Sequence, residues 1–108
     1  MITVKTKKLI DDAIQAEYDS SKKQHDDRYI NKNDAWGVLA EQTYESKKAY
    51  KAMKNNSKRL FILTVANKPR QDMVTEIAAC MLNARHLAME ACQVAAVCKK
   101  MLDGVGKC

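Results

Sequence analysis

Four polar side chains stand in or beside the most apolar stretch of the chain, "HLAMEACQVAAVC": Asn83, His86, Glu90 and Gln93, at separations of three, four and three residues. Wound on a helix, that spacing puts them on one line. An ionised carboxylate buried without partners costs several kcal/mol, so Glu90 calls for a cation, a donor or a ligand. A structural answer is also open: His86 one turn back, or an arginine such as Arg85 of a second chain, would satisfy it. A second cluster, Glu41, Gln42 and Glu45, lies in "WGVLAEQTYESKKAY" directly after the apolar block Trp36 to Ala40. Glu41 and Glu45 are one turn apart, as are Gln42 and Glu45, so oxygens from adjacent rows can converge. Two facing helices that each supply such groups are how helical bundles build metal sites. An all-oxygen set suits magnesium, which takes one or two protein carboxylates and completes its shell with water and phosphate oxygens.

The elements that must position these groups are helices. With three glycines and one proline in 108 residues, the chain has few breakers, and Ala, Lys, Met and Glu are abundant. A first helix is expected from about Thr6 to Lys23, with Leu9, Ile10, Ala13, Ile14 and Tyr18 as its apolar stripe. The polar "KQHDDRYINKN" reads as a connection. Asn33 or Asp34 caps a second helix whose inner stripe is Trp36, Leu39, Thr43, Tyr50 and Met53. "KNNSK" at 54–58 reads as an interruption; "RLFILTVA" after it has the branched and aromatic content of a strand, but a lone strand would have no partner, so a short buried helix is favoured, ending before Pro69. The last helix starts near Pro69 to Asp72 and runs unbroken to Leu102. Its stripe is Met73, Ile77, Cys80 and Met81, Ala84, Leu87 and Ala88, Ala91, Val94 and Ala95, Cys98 and Leu102. Asp72 and Glu76 early and Lys99 and Lys100 late complement its dipole.

The fold class expected is therefore all-α: a single domain over 1–108, a bundle of three to four helices with a long C-terminal helix, and 103–108 as a loose tail. A helix of about 30 residues is roughly 45 Å long, against a radius of gyration of about 13 Å for a compact domain of this size. From Leu87 to Cys98 it is apolar nearly all round, the pattern of an element buried on several sides. Both points predict a homo-oligomer, most simply a two-fold dimer with the last helices in its core. No apolar run is long enough to span a membrane, and the N-terminus turns acidic where an export signal would be apolar, so a cytoplasmic protein is expected. Cys80, Cys92, Cys98 and Cys108 form no CxxC pair, and Cys80 and Cys98 lie about 27 Å apart on one helix, so they read as small buried hydrophobes of a reducing compartment, with Cys108 on a loose tail. The net charge of +6 is carried by lysines spread over every segment and alternating with acids. It reads as solvated helix faces rather than a nucleic-acid surface, since no basic arm, recognition helix or aromatic RNA-binding motif accompanies it.

"VLAEQTYES" followed by "HLAMEACQVAAVCKKM" resembles the MazG-like branch of the all-α nucleoside-triphosphate pyrophosphohydrolases, particularly its small phage-encoded members. The resemblance covers about residues 34–102. It implies a helical dimer or tetramer in which EExxE on one helix and ExxD on a later one hold magnesium and, through it, a nucleotide's phosphates. The pair corresponds to Glu41 and Gln42, the third acid to Glu45, and the later motif to Glu90 and Gln93. Glu45 and Glu90 are then the metal ligands that remain acids. Gln42 and Gln93 depart from the pattern, although the small phage relatives also look like ExxQ; the interval between Glu45 and Glu90, filled by "LFILTV", is long for the family.

An amide offers a metal only a weaker carbonyl, but it gains an N–H pair for phosphate, ribose or base. Hydrolysis needs the cation more than binding does. The leading expectation is thus a nucleotide or nucleotide-derived ligand bound with weak or no hydrolysis, in a pocket lined by Gln42, Glu45, Lys48, Asn83, His86, Glu90 and Gln93. Lys48 is the candidate phosphate contact, against a solvated lysine, and Trp36 or Tyr44 could stack on a base or belong to the core. A phage origin would place it in a host's cytoplasm, sequestering a nucleotide signal. The alternatives are an active magnesium-dependent pyrophosphohydrolase, with Glu41, Glu45 and Glu90 as its acids, and a structural helical module.

Overall fold

A computed structural model describes residues 2–24 and 32–104. It contains three α-helices: α1 over Val4–Gln24, α2 over Lys32–Val65 and α3 over Val74–Asp103. One 3-10 turn, Arg70–Met73, leads into α3. Among the described residues there is no strand. Most of the connection expected between α1 and α2, and the tail beyond Gly104, lie outside the described residues.

Thr3 starts α1: its hydroxyl oxygen accepts from the Thr6 amide at 3.1 Å, satisfying one of the donors that a helix leaves open at its first turn. Ion pairs Lys7–Asp11 at 3.1 Å and Lys8–Asp12 at 2.9 Å then run along its exposed surface. The expected stripe is only partly inside. Tyr18 is buried and Ile14 half-buried, whereas Leu9 and Ile10 are exposed.

In α2 the structure corrects three expectations. Asn33 and Asp34 lie within the first turn, not ahead of it, because the helix begins at Lys32. "KNNSK" does not interrupt the helix, and "RLFILTVA" is its last turns and not a separate element. Asparagine and serine weaken helices mainly by bonding nearby backbone. Here the Asn56 amide is committed elsewhere, to Glu76 and Asn83. Nor is the "RLFILTVA" end buried: Phe61, Ile62 and Val65 are exposed. The covered line of α2 is also shifted by one residue from the expected Trp36 stripe. It reads Ala35, Gln42, Ala49, Asn56 and Leu63, one residue per heptad, while Trp36, Thr43 and Tyr50 face outward. Bulk marked the wrong line; the inner one is small or polar.

A left-handed residue closes α2. Asn67 has φ of 56°, its amide donates to the Thr64 carbonyl at 3.0 Å, and the Lys68 amide donates to the Leu63 carbonyl at 3.1 Å. Those two bonds cap the last carbonyls, and asparagine tolerates the left-handed conformation better than most residues. Pro69 follows, unable to continue a helix, and the 3-10 turn begins. α3 is the continuous rod expected, with Glu76 in its first turn and Lys100 in its last.

The chain divides into two compact units, one of residues 1–43 and 91–108 and the other of residues 44–90. In the first, Tyr18, Ala35, Ala96 and Lys100 are buried. The Tyr18 hydroxyl donates to the Asp103 carboxylate, and the Lys99 ammonium lies 4.9 Å from the centre of the Tyr18 ring. The second unit is a helical hairpin with Ala49 and Asn56 at its centre. Asn56 is 3% exposed. Its amide nitrogen donates to Glu76 Oε2 at 2.8 Å, and its oxygen accepts from Asn83 Nδ2 at 2.5 Å. Arg59 Nε donates to Glu76 Oε1 at 2.6 Å. A buried amide with both ends used fixes how the two helices align, because sliding one past the other would strand its polar groups.

Candidate functional site

Five of the expected site residues belong to the hairpin unit: Glu45 and Lys48 on α2, and Asn83, His86 and Glu90 on α3. Glu41, Gln42 and Gln93 belong to the other unit. On α3, Asn83 and Glu90 lie on the more covered line, which alternates by three and four residues through Glu76, Cys80, Asn83, Leu87, Glu90 and Val94. That is the register in which a helix turns one seam toward a neighbour. His86 sits off this seam.

The acid at the centre of the expected pocket is largely shielded. The Glu90 side chain is 16% exposed, and its Oε1 lies 3.1 Å from Nε2 of His86, whose side chain is 56% exposed. So the partner that α3 itself supplies to Glu90 is the histidine one turn back, and it stands at the solvent edge. On α2 the corresponding acid is paired along its own helix as well. Glu45 Oε2 lies 3.7 Å from Lys48 Nζ, and that ammonium stands 5.3 Å from the centre of the exposed Tyr44 ring. The lysine expected to hold phosphate thus already sits between a carboxylate and an aromatic face. Trp36 and Tyr44 are both exposed, so neither is taken up by the core. Glu41 is exposed; Gln42 and Gln93 are half-buried, and the side-chain oxygen of Gln42 is shielded from solvent.

Asn83 has a role that spacing alone did not reveal. Its amide reaches across the hairpin to Asn56, and Asn56 reaches on to Glu76, itself held by Arg59. These hydrogen bonds make Asn83 a residue that sets the register of the hairpin. A signal for this was present in the sequence: Ala49, Asn56 and Leu63 recur at seven-residue intervals, the pattern of a helix seam with one polar position.

Magnesium takes one or two protein carboxylates and completes its shell with water and phosphate oxygens. Glu45 and Glu90 each meet a nitrogen of their own helix, and among the described residues no group of three or more His, Cys, Asp or Glu side chains could hold a metal. In the hairpin unit the donor set around Glu90 is His86 one turn back and Asn83 a further turn back. Its chemistry is that of a shielded carboxylate–imidazole pair with an amide one turn away. Such a set accepts hydrogen bonds at Glu90. The chain matches no protein-family model, and neither a curated protein nor a solved structure matches it.

Proposed function

We propose that the chain binds a nucleotide or nucleotide-derived small molecule through the Glu90 face of α3, with weak or no hydrolysis. The observation that supports this most is the shielding of Glu90 beside a single exposed imidazole. A carboxylate keeps about four acceptor positions, and one ring nitrogen uses only part of that capacity. Donors of a ligand, such as a base amino group or a ribose hydroxyl, complement the remainder. His86 would lie over the same ligand, and Lys48 would exchange its contact with Glu45 for a phosphate. The weak-hydrolysis clause rests on the acids: Glu45 and Glu90 are each held by a nitrogen of their own helix, so a nucleotide arrives with its own magnesium or none.

One experiment separates binding from turnover. Purified protein is incubated with a panel of nucleoside triphosphates and cyclic nucleotides plus magnesium, and the small molecules are analysed before and after heat denaturation. Ligand recovered intact only after denaturation, and lost in Glu90→Ala, is the expected result. Pyrophosphate released by the wild type and not by Glu90→Ala would replace this reading with that of an active pyrophosphohydrolase. Neither uptake nor turnover would leave a helical scaffold.

The scaffold reading has one observation in its favour, and it bears on assembly. Val74, Ile77, Met81, Ala84, Ala88 and Ala91 are all exposed and follow the same alternation of three and four residues, one position round from the covered seam. A second uncharged seam on one helix suits a second copy of the chain. Ligand binding and self-association are compatible, and a homo-oligomer is part of the proposal.

A further inference from the structure

The hairpin unit concentrates the charge. Residues 44–90 hold nine Lys and Arg against four Asp and Glu, which is five of the chain's six net positive charges. On α2 four of these, Lys47, Lys51, Lys54 and Lys58, fall at separations of four, three and four residues, and all are exposed. Tyr44, three residues before the first, and Phe61, three after the last, continue the same line and are exposed too. In the linear sequence the lysines are scattered among Ala, Met, Asn and Ser; only the helix gathers them. The row is about 16 Å long from Lys47 to Lys58, with neighbours about 5–6 Å apart.

α1 shows what a structural use of such lysines looks like. There Lys7 and Lys8 each meet an aspartate one turn on, at 3.1 and 2.9 Å. The α2 row has no such relief: Lys47, Lys51, Lys54 and Lys58 make no ion pair among the described residues, while Glu45 meets Lys48 and Glu76 meets Arg59. Like charges one turn apart oppose the helix that carries them, so the row is an arrangement that an anionic partner would relieve.

We propose that this face of α2 binds a single-stranded nucleic acid, its phosphates along Lys47–Lys58 and unpaired bases against the exposed rings at Tyr44 and Phe61. A second copy would set lysine against lysine. An anionic membrane would want apolar side chains along the length of the buried face, whereas here the centre of the line is all ammonium and the bulky apolar groups stand at its ends. A linear polyanion matches the row throughout, and end-placed aromatics favour bases that are free to stack over a paired duplex. The lysine row shares no residue with the Glu90 reading; Tyr44 alone, whose ring Lys48 meets at 5.3 Å, is common to both.

The test uses the full chain and a fluorescein-labelled oligonucleotide of about 20 unpaired residues, titrated by anisotropy from about 0.05 to 0.3 M salt. Four phosphate contacts predict a slope of about −2.8 for log K against log salt, falling by about 0.7 for each lysine changed to glutamine. The combined Lys47→Gln, Lys51→Gln, Lys54→Gln and Lys58→Gln variant should lose about a hundredfold in affinity near 0.1 M salt. A second variant removes the same charge elsewhere, at Lys5, Lys7, Lys8 and Lys68, and should stay within about threefold of the wild type. Circular dichroism checks that each remains helical; if the fourfold variant unfolds, the single-lysine slopes decide. Equal losses in both variants would overturn the assignment, as would no binding at the lowest salt. Tighter binding to phosphatidylserine vesicles than to the oligonucleotide would overturn it in favour of a lipid surface.

Discussion

Asn56 and Glu76 show how much one buried amide can hold. Asn56→Ala removes the donor to Glu76 and the acceptor of Asn83 together and should lower stability, since Asn83 loses its cross-hairpin acceptor. Urea denaturation of the variant against the wild type measures it, and an unchanged midpoint would show that water replaces the amide freely. The pH dependence follows from the same network. The Asn56 amide first and the Arg59 guanidinium second hold the Glu76 carboxyl below its ordinary value, against the opposing effect of desolvation. A carboxyl depressed in the folded state contributes stability that is complete above its unfolded value and lost as pH falls through the folded one. The wild type should therefore lose stability on acidification through and below the usual carboxylate range, and Glu76→Gln should lose less over that interval. Parallel curves for the two proteins would contradict this.

At the scale of elements, α2 carries a weak point that a single methyl group can repair. Gly37 lies inside the helix, and a Cβ built on it meets nothing within 4 Å. Gly37→Ala should raise stability by about 0.5–1 kcal/mol, because alanine gives up less chain entropy to the helix. A thermal melt that moves down instead would mean the site is closer to a neighbour than the structure places it. The end of the same helix is set by Asn67. Asn67→Gly keeps the left-handed cap and should leave stability nearly unchanged, whereas Asn67→Val should cost about 1–2 kcal/mol. These elements also show what the sequence could disclose. Helix type and the α3 rod were legible because scarce glycine and proline and an unbroken 3.6-residue period leave little else. The continuity of α2 was not: propensity marks "KNNSK" as a break, and only the tertiary partner of Asn56 explains why it is none. The inner line of α2 was hidden for a related reason. Trp36 and Tyr50 advertise a core by their size, yet the seam is built from Ala35, Ala49 and Asn56, whose fitness for it lies in smallness and hydrogen bonding. In the candidate site, the pairing of His86 with Glu90 was readable from their four-residue spacing. The cross-hairpin bond of Asn83 depends on the register of two helices, which no local spacing states.

For the molecule as a whole, the distribution of apolar surface makes the most exacting demand. Ile77 and Met81 stand exposed on α3, with Val74 before them and alanines after them in the same seam. A charge placed there costs a lone chain little, since these side chains already face water and glutamate is a good helix former. In an assembly that closes on this seam, the same charge is buried against an apolar surface with no partner, a penalty of several kcal/mol per chain. The two cases give opposite readings of Ile77→Glu with Met81→Glu. If a second copy covers the seam, light scattering on a sizing column gives a multiple of 12.2 kDa for the wild type and a single-chain mass for the variant, with helix content kept. The control Leu9→Glu, on the exposed surface of α1, should leave the mass as it is. A wild type that elutes as one chain at concentrations well above micromolar, or a variant that remains assembled, would remove α3 from the interface. It would also leave Val74, Ile77 and Met81 as apolar surface whose partner is not a copy of this chain.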